Sequence, residues 1–115
     1  MRKGKILGII VLMVTMVAVS AFAQKADDVV KKAQDLQWWA NGQLRQARNS
    51  SNYDTVNSIR EAIIREMRDL ERLYDRSVAN GTEYTSSQST KYHNAWMEMG
   101  NYVDELKEKL RKLSR

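Results

Sequence analysis

The chain offers one histidine, His93, and no cysteine or proline among its 115 residues. Without cysteine there are no disulfides, thiolate-held zinc, thiol nucleophiles or c-type haem attachments. His93 together with Met67, Met97 or Met99 has the ligand chemistry of a Met/His haem pair in a helical bundle. Met67 and Met99, however, fall on apolar helical stripes, where methionine is ordinary core filler. Catalysis has no better footing. The chain has no Ser-His-acid or Cys-His set, no glycine-rich phosphate loop and no acid pair in apolar surroundings. Carboxylates recur as helical surface charges and form no convergent metal cluster. The sequence is therefore read as non-enzymatic, with no catalytic, cofactor-binding or metal-binding residue.

Recognition chemistry is better represented. Trp38 falls about 140° from the centre of its helix's apolar stripe at 100° per residue. Either the core of a three-helix bundle wraps further round this helix than the stripe and takes in Trp38, or the indole stands on a polar face as an anchor for a partner, a ligand or a second copy. Gly42 follows one turn later on the same face and leaves a recess beside it. The same W-x-x-x-G spacing recurs at Trp96 and Gly100. Arg65, Arg68, Arg72 and Arg76 line the side of the second helix opposite its apolar stripe. A row of guanidinium groups can bind an anionic envelope component or a carboxylate-rich protein. Glu61, Asp69 and Asp75 are interleaved and neutralise part of that face. Lys107, Lys109, Arg111, Lys112 and Arg115 crowd the last turns, where cations suit the helix dipole. The candidate partner-binding residues are thus Trp38, Gly42, Arg65, Arg68, Arg72 and Arg76. A second reading has the protein sequester an apolar molecule or haem between its helices, lined by Trp39, Trp96, Tyr102 and Met67.

The N-terminal segment reads as an address. A basic start, Arg2-Lys3-Gly4-Lys5, precedes an apolar run from Ile6 to Val19 and the small-residue motif Ala21-Phe22-Ala23. That is the pattern of a cleavable secretory signal over residues 1–23, with a mature start at Gln24. Left uncleaved, the run would anchor the chain in a membrane. Either way the remaining domain, 24–115, is expected outside the cytoplasm, in the periplasm or the medium. The formal charge of +5 is partly the signal's, and beyond Ala23 the chain balances 16 basic against 14 acidic residues. Nucleic acid is excluded as a partner by that balance and by compartment.

These residues must be positioned by helices. Leu, Ile, Val and Phe make up only 15 of the 92 residues after Ala23, but their spacing is regular. Ala26, Val29, Ala33, Leu36, Ala40, Leu44 and Ala47 form a thin, alanine-rich stripe. Val56, Ile59, Ile63, Met67, Leu70, Tyr74 and Val78 follow an eleven-residue repeat. Tyr92, Trp96, Met99, Val103, Leu106, Leu110 and Leu113 form a heptad seam of coiled-coil type. Ser51 with Asp54, Asn80-Gly81, and Thr85 with Gln88 supply start and stop signals. The spacing predicts helices over 26–48, 52–79 and 86–113, each about 35–42 Å long. Short connections make sequence neighbours antiparallel, giving an all-α, up-down-up three-helix bundle.

Overall fold

The computed structural model describes residues 25–114, and the signal-like segment lies outside them. Three helices form: α1 (Ala26–Arg48), α2 (Tyr53–Ala79) and α3 (Ser86–Leu113). They pack as an up-down-up bundle in which every pair is in contact and α1 and α3 share the largest interface.

The ends follow the local chemistry with one change. Asn52, one residue beyond the expected Ser51, caps α2: its side chain accepts from the Thr55 amide at 2.9 Å. Thr85 and Gln88 form a reciprocal capping box at the start of α3, at 2.9 and 3.1 Å. After α2 the chain leaves through a Schellman turn. Gly81 takes φ 89°, its amide reaches the Val78 carbonyl, and Thr82's amide reaches that of Ser77. Glycine is required here because other side chains rarely adopt that backbone conformation.

In α1 the whole expected stripe is buried, together with Val30, Lys32, Trp39 and Gln43. The other two helices are rotated from the expectation. The buried seam of α2 runs Val56, Ile59, Ile63, Glu66, Leu70, Leu73 and Ser77, a regular 3-4 spacing. Met67 remains buried beside this seam, Tyr74 is half-buried, and Val78 is 48% exposed. A stripe drawn through apolar residues alone steps over Glu66 and Ser77 and so drifts one position off the seam. In α3 the seam is Tyr92, Ala95, Met99, Tyr102, Leu106 and Leu110. Trp96 and Val103, expected in the core, are half-buried on its flank.

Polar contacts pin α1 to α3 at both ends. Gln88 donates to Asp27 at 2.7 Å near their starts. Near their other ends Arg48 donates to both Glu105 oxygens, at 2.6 and 2.9 Å. Lys109, expected to serve its own helix's dipole, donates to the Ala47 and Arg48 carbonyls at 2.8 and 2.6 Å. It therefore caps the C-terminus of α1 from the neighbouring helix.

Candidate interaction surface

Trp38 is 81% exposed. Its backbone is nonetheless fixed from both sides. Trp39 is buried in the core. Gln37 and Asn41 both donate to the Tyr102 hydroxyl, at 2.7 and 3.2 Å. Trp38 therefore stands on a rigid part of α1 and contributes little to the fold. Gly42 is exposed, and a Cβ built there would meet nothing within 4 Å. Trp38, Gly42, Arg45 and Gln46 border a shallow recess of about 290 Å³. No close approach requires glycine at 42, whose missing side chain simply lowers the surface beside the indole.

A larger groove of about 410 Å³ runs between α2 and α3. Its apolar lining is Ile64, Met67, Trp96, Met97, Gly100 and Val103. Met97 is 62% exposed at its edge. Its charged residues are Arg68, Glu71 and Asp104. Gly100 is level with the Met67 methyl, 4.0 Å from where a Cβ would sit. The two W-x-x-x-G pairs thus line different surfaces, one on α1 and the other in the α2–α3 groove.

Arg65, Arg68, Arg72 and Arg76 are all exposed. Asp69 pairs with Arg72 at 3.2 Å, while Arg68 turns into the groove. The row lies on α2 and is separate from the Trp38 surface on α1. The residues expected to line an internal ligand space are divided as well. Met67 and Trp96 line the groove, Trp39 borders the α1 recess, and Tyr102 is engaged by Gln37 and Asn41. His93 is exposed, with its ring beside Tyr92 and Tyr74 at centroid distances of 5.5 and 6.3 Å. Met99 is fully buried in the core. Among the described residues no group of three or more acidic or histidine side chains could hold a metal ion. No helix among them is long and apolar enough to cross a membrane.

Sequence reasoning passed over two buried ionisable side chains, Glu66 of α2 and Lys32 of α1. Glu66 is 1% exposed and Lys32 8%. Glu66 Oε2 and Lys32 Nζ are both buried without a hydrogen-bond partner. Burial, reinforced by Asp69 and partly offset by Arg65 and Lys32, pushes the Glu66 carboxyl up to about 7. Burial likewise lowers the Lys32 ammonium, against the pull of Asp35 and Glu66. The signal was present in the spacing. Lys32 stands three residues after Val29 and four before Leu36, and Glu66 holds the same place between Ile63 and Leu70.

No protein-family model, curated protein or solved structure matches the chain.

Proposed function

We propose that this chain is an exported, non-enzymatic helical interaction module of the periplasm or cell envelope, docking a protein partner or a second copy through Trp38. The observation that carries this reading is the 81% exposure of Trp38 on a helix whose core stripe is complete without it. An indole left in water on a rigid surface is the residue type that most often anchors an interface. The Gly42 recess lets a partner close around one side of the ring. The exposed arginines of α2 give a second surface suited to an anionic envelope component. Export rests on the basic, apolar and Ala21-Phe22-Ala23 pattern of the first residues.

The test is a pull-down from the exported fraction with wild type and Trp38→Ala side by side, accompanied by thermal melts. Truncating an anchoring tryptophan costs about 2 kcal/mol or more of binding, roughly thirtyfold in affinity. Capture should fall by that factor with an unchanged melting temperature. Equal capture by both proteins overturns the reading.

A further inference from the structure

The bundle carries an apolar anchor on one side and an apolar receptor on another. Trp38 projects from the outer surface of α1, whereas the groove opens between α2 and α3. In a three-helix bundle the cleft between two helices faces away from the third, so anchor and receptor point in opposing directions. One molecule cannot fill its own groove.

We propose that Trp38 of one copy seats in the α2–α3 groove of a second copy. This rests on the reading of Trp38 as a docking anchor and names its receptor. At about 410 Å³ the groove has room for an indole. Its lining is apolar, and Met67 and Met97 are side chains that reshape around an inserted ring. Charge agrees with the pairing. Glu71 and Asp104 outnumber Arg68 at the groove, while Arg45 is the charged residue bordering the recess beside Trp38. The contact uses different surfaces on its two partners, so it is heterologous. A pair still presents one free anchor and one free groove, and further copies can add.

Sedimentation equilibrium over a concentration series reads this directly. The anchorless variant is Trp38→Ala. The blocked variant is Met97→Lys, which sets a charge in the groove opposite the incoming Arg45. Both sites are exposed, and circular dichroism melts check that both variants fold. Gly100→Leu is a second blocked variant: its Cβ meets only ordinary contact with Met67, the rest of the side chain is added to fill the groove, and leucine is a better helix former than glycine.

Wild type should grow beyond a dimer with concentration, and each variant alone should associate roughly thirtyfold more weakly. An equimolar mixture of Trp38→Ala and Met97→Lys should recover association and stop at a one-to-one dimer. The first retains a groove and the second retains an anchor. A mixture that stays monomeric while wild type associates overturns the proposal, because the contact is then not anchor-to-groove. Wild type that stays monomeric throughout also overturns it. If Trp38→Ala nevertheless loses capture in the pull-down, the anchor reading stands with a different receptor.

Discussion

Replacing Glu66 with glutamine should remove a pH dependence that the wild-type bundle carries through its buried carboxyl. Glu66 has its proton affinity raised from the ordinary 4.5 to about 7 in the folded chain. The folded state therefore holds this proton more tightly than the unfolded state does. The contribution to stability is full below pH 4.5 and is lost as pH rises to about 7. Linkage across that window gives about 2–3 kcal/mol of lost stability between pH 5 and pH 8. For a domain of this size that corresponds to roughly 10–20 °C in melting temperature.

The groups acting on Glu66 are Asp69 and Arg65 of its own helix and Lys32 of α1. Lys32, its ammonium lowered by burial, adds stability as pH rises through its own window below the ordinary 10.5. The assay is urea denaturation of wild type and Glu66→Gln at pH 5, 6, 7 and 8, followed by far-ultraviolet circular dichroism. The difference between the two proteins should change by about 2–3 kcal/mol across the series, wild type losing ground as pH rises. Parallel pH profiles would refute the reasoning, since Lys32 would then be holding Glu66 ionised throughout.

Ile63, fully buried in the α2 seam, should cost about 2–5 kcal/mol when replaced by alanine, read by the same denaturation assay. Gly81→Ala should lower stability by about 1–2 kcal/mol through the positive φ of the Schellman turn, with association unchanged. Intact-mass measurement of the exported protein should give a chain beginning at Gln24; full-length protein in a soluble cytoplasmic fraction would remove the export reading.

The sequence carried the helices, their order and their caps, apart from the start of α2, where Asn52 takes the place expected of Ser51, because each rests on local chemistry. Asn80-Gly81 and the Thr85–Gln88 box acted where they stand. The rotation of α2 was harder to read. Its seam uses Glu66 and Ser77, and Ser77 is accommodated by bonding the Tyr74 carbonyl at 2.7 Å and the Tyr84 hydroxyl at 2.5 Å. A polar residue with such a partner takes a core position that hydropathy assigns to its neighbour. A single helix's geometry sets Trp38 apart from its stripe, but only the rotation of the neighbouring helices shows that the core does not wrap round to it and leaves it 81% exposed. The groove was not legible, because Ile64, Met67 and Trp96 come together only once two helices have a fixed rotation. Lys109 likewise looked like a cation serving its own helix, and only the parallel register of α1 and α3 brings it to another helix's carbonyls.

That register also bears on how the chain folds. The bonds between α1 and α3 join residues 57 to 65 positions apart. The largest interface therefore belongs to the two helices most distant along the chain, and both connections must close before it forms. Such separation raises contact order above that of a bundle built mainly from adjacent hairpins, and folding slows accordingly. During synthesis α1 and α2 emerge before α3, so the surfaces they bury against it lack their cover until the last third of the chain is made. For a chain exported as proposed above, that ordering postpones compaction until the N-terminal address has already been displayed.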